Sequence, residues 1–163
     1  MTTAALLRTI VVSPHPKGRF LDGIISGTPK PGTVMQIKAA TEPVAGQYTF
    51  EVYDQAADGN RPQGPIFVLR EDELQGITVD TAYADGATGL LYCPLPGDEL
   101  LMLFANVAGT GDDHAIGEKL IIDDGTGKLI ATTGTPECEP FMCAETVTDP
   151  TADFLAHVFY SGF

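Results

Sequence analysis

Turn signals recur so closely along this chain that its apolar segments have room to become strands and little else. Eighteen glycines and twelve prolines punctuate 163 residues. Between them TIVVS from Thr9, RFLDGIIS from Arg19, TVMQIKA after Pro31-Gly32, YTFEVYD from Tyr48 and PIFVL from Pro65 all read as extended pieces. In YTFEVYD, Tyr48, Phe50 and Val52 alternate with Thr49, Glu51 and Tyr53, the two-residue period of a two-faced strand. The charged REDELQG from Arg70 predicts a helical turn or a loop, the one place where a short helix is expected. ITVDTAY, alternating through Ile77, Val79 and Thr81, is expected to be a further strand.

The second half is more regular. LLYCPLPGDELLMLFANVAG from Leu90 predicts two strands joined at Pro96-Gly97-Asp98, and EKLIIDDGTGKLIATTG from Glu118 predicts a hairpin around Asp124-Gly125-Thr126-Gly127. PFMCAETV from Pro140 and DFLAHVFYSGF from Asp153 supply the last two strands. The latter places Phe154, Ala156, Val158 and Tyr160 on one face and Leu155, His157 and Phe159 on the other. Phe163, a large apolar last residue, leads us to expect a docked C-terminus. Pro31-Gly32 and Pro96-Gly97 each turn into an apolar strand ending in small residues, a weak internal echo of a kind that also arises by chance. These readings give an all-β fold, a compact β-barrel or sandwich with at most one or two short helices. The expected division is an extended N-terminal arm over residues 1–30 and a single β domain over 31–163.

The charge is split as sharply as the hydropathy. From Met1 to Lys38 five basic residues face one acid, whereas from Ala39 onward four basic residues face 21 acids. An acidic body repels nucleic acid, whose binding rests on neutralising phosphates, so no nucleic-acid partner is expected. The same charge keeps a protein soluble and suppresses self-aggregation. No apolar run approaches the roughly 18 residues of a membrane-spanning helix, and no signal peptide is expected at the N-terminus.

The residues offer little chemistry. Cys93, Cys138 and Cys143 are an odd set, which argues against a disulfide framework and for synthesis in a reducing cytosol. The Cys138–Cys143 pair lacks the further ligands that zinc needs. Histidines 15, 114 and 157 stand in no nucleophile, phosphate-loop or metalloprotease motif. Asp112-Asp113-His114 after Gly109-Thr110-Gly111 is the best candidate for a hard-cation site, although its spacing is not that of an EF-hand and a solvated loop explains it as well. Glu71, Asp72 and Glu73, or Asp98 and Glu99, are neighbouring acids with no surrounding aromatic cluster to raise a pKa. No catalytic residue, cofactor or metal is expected, and the chain is read as a non-enzyme.

The arm is the candidate interaction element. Leu6, Leu7, Ile10, Val11 and Val12 form an apolar run suited to extending a neighbour's open sheet edge, while Arg8, Lys17 and Arg19 are drawn to acidic surfaces. On this reading, deleting Met1–Ser13 leaves the body folded and weakens association.

Taken together, GTPKPGTVMQIKAA, YTFEVYDQAADG, VLREDELQG, TAYADG, DELLMLFANVAGTGDDHAIGEKLIIDDGTGKLIATTG and FLAHVFYSGF resemble the capsid decoration, or cement, proteins of tailed bacteriophages, from about Gly27 onward. The resemblance implies a β-tulip-like body, usually trimeric, on the exterior of an icosahedral head. There it would pin neighbouring major capsid proteins, in a virion assembled in the host cytoplasm. It carries no catalytic residues. The alternative from a different class is a stand-alone β-sandwich module that binds a ligand or carbohydrate.

Overall fold

The computed structural model describes residues 9–13, 18–38, 46–54, 64–106, 113–132, 136, 138–148, 150 and 152–162. Among these residues the regular structure is nearly all β. The strands are β1 (Val11–Ser13), β2 (Arg19–Ile25), β3 (Val34–Ile37), β4 (Thr49–Val52), β5 (Phe67–Leu69), β6 (Thr88–Cys93), β7 (Glu99–Phe104), β8 (Lys119–Ile122), β9 (Leu129–Ala131), β10 (Phe141–Cys143) and β11 (Phe154–Tyr160). One 3-10 turn spans Glu73–Gln75, with Asp72 accepting the N–H groups of Leu74 and Gln75 at its start and left-handed Gly76 at its end.

The strands close into two small barrels with the same topology. In the first, β2 runs parallel to β4, and β4–β3, β3–β5, β5–β6 and β6–β2 are antiparallel. In the second, β7 runs parallel to β9, and β9–β8, β8–β10, β10–β11 and β11–β7 are antiparallel. Registers match as well as order. Ile25 faces Phe50 as Phe104 faces Leu129, Ile37 faces Phe50 as Ile122 faces Leu129, and Leu69 faces Leu91 as Cys143 faces Val158.

The loops keep this correspondence. The Gly32 N–H donates to the Leu69 carbonyl at 2.8 Å and the Gly117 N–H donates to the Cys143 carbonyl at 2.8 Å, both glycines having φ of 86°. The N–H groups of Arg70 and Ala144 reach the carbonyls of Leu90 and His157 at 2.8 and 2.9 Å.

Counterpart positions also fill the two interiors. Ile25, Met35, Phe50, Phe67, Leu69 and Leu91 pack inside the first barrel. Phe104, Leu120, Leu129, Phe141, Cys143 and Val158 hold the same places in the second, and all are buried. Each large side chain removed from water contributes about 1.5–3 kcal/mol. The alternate residues of β3, β5 and β6, namely Val34, Val68 and Tyr92, point out of the first barrel and join the core cluster of the second.

Backbone contacts seal that joint. The Leu103 N–H donates to the Gly32 carbonyl at 3.0 Å and the Val34 N–H to the Gly127 carbonyl at 2.8 Å. A Cβ at Gly127 would lie 2.4 Å from the Val34 carbonyl oxygen, so only glycine allows this approach.

Two expectations need correction. ITVDTAY is not a strand: Ile77 makes one isolated bridge to Asp72, and the Thr81 N–H turns back to the Thr78 carbonyl at 3.0 Å. Its apolar residues are used singly, Val79 buried and Tyr83 donating its hydroxyl to the Arg70 carbonyl at 2.8 Å. The described part of the 1–30 arm is likewise built into the body. β1 pairs with β7, Val11 opposite Leu100, and β2 is a wall of the first barrel. The Ile10–Val12 part of the apolar run finds a free sheet edge on its own chain, where the effective concentration is highest.

Candidate interaction surface

Several of the polar positions singled out in the sequence have structural partners. Asp112 lies outside the described residues. His114 is buried, its Nδ1 2.9 Å from Glu118 Oε2 and its ring edge-on to Phe104 at 4.9 Å, while its backbone bridges to Val147. The imidazole is thus part of a packed loop base. His157 on β11 sits 3.1 Å from Glu99 Oε1. Among the described residues no group of three or more His, Cys, Asp or Glu is placed to hold a metal.

The acids act as clamps. Glu71 accepts the Ile10 N–H at 3.1 Å and the Thr9 hydroxyl, tying the start of β1 to the first barrel. Asp98, buried, accepts the Tyr92 hydroxyl and the Leu95 N–H, each at 2.7 Å, and so shapes the Pro96-Gly97 turn between the barrels. Asp123 takes the Thr126 hydroxyl within the predicted hairpin turn, where Gly125 and Gly127 have positive φ. None of the three cysteines is in a disulfide, and burial pushes the thiol pKa of Cys93 and Cys143 up, away from nucleophilic character.

A cleft of about 290 Å³ is lined by Lys30, Val79, Asp80, Leu103, Asp153, Phe154 and Leu155. Of its charged residues, Asp153 is paired, with Lys128 Nζ 2.5 Å from its Oδ2. Partial burial raises the Asp153 pKa, but the bonds from Lys128 and the Asn106 N–H outweigh it and hold the carboxyl below its usual value. Nothing in this wall supplies a nucleophile with a base.

Of the arm residues expected to form an interface, Leu6, Leu7, Arg8 and Lys17 lie outside the described residues, as do His15 and Phe163. Ile10 and Val11 are buried, whereas Val12 and Arg19 are exposed. Because Ile10 and Val11 are core residues, deleting Met1–Ser13 would remove a strand from the second sheet, and a loss of stability is expected in place of the folded body that the sequence suggested.

What the surface offers instead is a set of exposed large apolar side chains on the outer faces of strands and in the segments that lead into them. Phe20 on β2 packs against Tyr92, ring centroids 4.8 Å apart, beneath the Arg70 guanidinium at 4.9 Å. The Arg70 side chain is 3.8 Å from Glu71, and its buried Nε has no hydrogen-bond partner. Tyr48, Ile116, Met142 and Phe159 are also exposed. Sequence reading passed over these residues, although Phe159 stood among Leu155 and His157 on the outward face of the last strand. The chemistry available here is adhesion through apolar contact on an acidic body.

No protein-family model matches the chain, and no curated protein matches it. Among solved structures it is similar to the N base of head fiber gp8.5 in bacteriophage phi29, with a TM-score of 0.52 and 10% identity over 88% of this chain and 94% of that one. The likeness is one of fold.

Proposed function

We propose that this protein is a virion structural component, a decoration protein that binds the outer surface of a phage head and stabilises contacts between major capsid proteins. The observation that carries this reading is the shared fold with a phage head fiber base across nearly the full length of both chains. The sequence resemblance to cement proteins supports it independently. So does the surface, on which apolar side chains for adhesion stand on an acidic body that stays soluble before assembly. Catalysis has no part in the reading.

Mixing the purified protein with expanded capsids that lack it provides the test. Saturable co-sedimentation at a fixed ratio to the major capsid protein, with a raised disruption temperature of the shell, is the expected result. Absence of saturable binding to any capsid form, combined with saturable binding to glycans, would favour the carbohydrate-binding alternative and overturn the proposal.

A further inference from the structure

The first barrel docks on the second through a face whose counterpart the second barrel leaves uncovered. Val34, Val68 and Tyr92 form that docking face, and all three are fully buried. Their counterparts by register are Lys119, Met142 and Phe159. Met142 is 37% exposed and Phe159 38%, and next to them Ile116, counterpart of Pro31, is 69% exposed.

The receiving side shows the reverse. The second barrel meets the first with Leu101, Leu103 and Gly127, whose counterparts in the first barrel are Asp22, Ile24 and Tyr48. Tyr48, which precedes β4, is 50% exposed, and Phe20, on the same outward side of β2 as Asp22 and Ile24, is 54% exposed. One chain thus contains a completed head-to-tail joint and both unmatched halves of another.

The geometry points to self-association in which the Ile116–Met142–Phe159 face of one copy docks on the Phe20–Tyr48 surface of a second copy, repeating between chains the contact made between barrels within one. Three observations favour a second copy over an unrelated partner. Both halves occur on the same molecule, as a heterologous contact requires. Five of the eight exposed large hydrophobic residues among those described fall on these two surfaces. And where the internal joint has Val34 on one side and Leu101 on the other, the exposed halves carry Lys119, which lies 2.7 Å from Glu139 in the single copy, and Asp22, of opposite charge to Lys119.

Besides this exchange of Val34 and Leu101 for Lys119 and Asp22, the joint between copies lacks the clamps of the internal one, where Glu71 accepts the Ile10 N–H at 3.1 Å and Asp98 accepts the Tyr92 hydroxyl at 2.7 Å, and its backbone seam differs as well. Within the chain, Gly32 wedges between β7 and β9, whereas in the first barrel the Ile24 N–H already bonds to the Tyr48 carbonyl at 2.9 Å and closes that seam. Contact between copies is therefore made by side chains and is weaker than the internal joint. Repetition of such a contact gives a ring where the rotation closes and a filament where it does not. This inference stands on the internal repeat and does not depend on binding to a capsid.

The experiment uses two variants of the full chain and analytical ultracentrifugation. Met142→Glu with Phe159→Glu blocks one face, and Phe20→Glu with Tyr48→Glu blocks the other; milder Phe159→Ser and Phe20→Ser variants serve if circular dichroism shows either double variant misfolded. The unaltered protein is expected to form an oligomer whose population grows with concentration, and each variant alone to sediment as a monomer. Mixed together, the two variants are expected to give a dimer of one copy each and nothing larger, because one good head meets one good tail. An unaltered protein that stays monomeric at all concentrations, variants that assemble as before, or a mixture that remains two monomers would each overturn the inference.

Discussion

The two barrels share strand order and register but differ on their outer faces, and the difference separates what builds a barrel from what joins barrels. Inward positions are apolar in both: Phe67 and Phe141 are counterparts, as are Met35 and Leu120, and Ile25 and Phe104. Outward positions follow the neighbour. Val34 and Val68 are buried against the second barrel, while Lys119 and Met142 face solvent. A closed five-stranded barrel needs filling on one side only, so the other side is free to become a joint, a solvated wall or an adhesive patch.

The largest effects test whether the interiors are energetically alike. Phe141→Ala and Phe67→Ala each leave a cavity at the centre of a barrel, and each is expected to cost about 3–5 kcal/mol in urea unfolding. A difference of more than about 2 kcal/mol between them would mean that the repeat is one of topology alone, with the stability held in one barrel.

A smaller and cleaner contrast lies in the paired turns. Gly32 and Gly117 share a φ of 86°, but a Cβ at Gly32 would meet the Leu103 backbone nitrogen at 2.9 Å, whereas at Gly117 it would meet open space. Gly117→Ala should cost about 1–2 kcal/mol, the penalty of the left-handed backbone. Gly32→Ala should cost at least about 1 kcal/mol more, because the joint must also shift. Equal losses in thermal or urea unfolding would show that the glycine at the joint is retained for its φ alone.

The smallest effect is confined to alkaline solution. Tyr53, buried at the joint where its counterpart Thr132 is only partly covered, has its phenol pushed up to about 12 by burial, with Cys138 and Asp124 adding to the shift. A raised folded pKa means that the folded state holds its proton longer than the unfolded chain does. This contribution is therefore complete below about pH 10 and is lost as pH rises toward 12. Tyr53→Phe should flatten the fall in stability over that window while changing little at pH 7. An unchanged alkaline slope would place the sensitive group elsewhere, Tyr160 being the next candidate because burial raises its phenol pKa too.

Much of the fold was legible from turn spacing. The strands around Val34, Thr49, Phe67, Leu91, Leu101 and Phe154 and the Asp124–Gly127 hairpin stand where the glycines, prolines and alternation place them. ITVDTAY misled because alternation describes side-chain faces and says nothing about a free edge to pair with. The internal echo was heard at the wrong offset. Pro31-Gly32 corresponds to Ile116-Gly117, whereas Pro96-Gly97 opens β7, the counterpart of β2. Loops of unequal length shift the spacing from strand to strand, and outward residues differ with their surroundings, so neither a fixed period nor residue identity marks the repeat.

By itself, then, the sequence determined the strand class, the hairpin turns, the inward faces of the last strands and the lack of a recognisable catalytic motif, because each depends on neighbours a few residues away. Tertiary structure decided how the strands close into two matching barrels, that Ile10 and Val11 belong to the core, and which apolar residues are left for a partner. These depend on contacts between segments far apart in the chain, such as Val34 with Gly127 and β1 with β7, whose free energies no local pattern encodes.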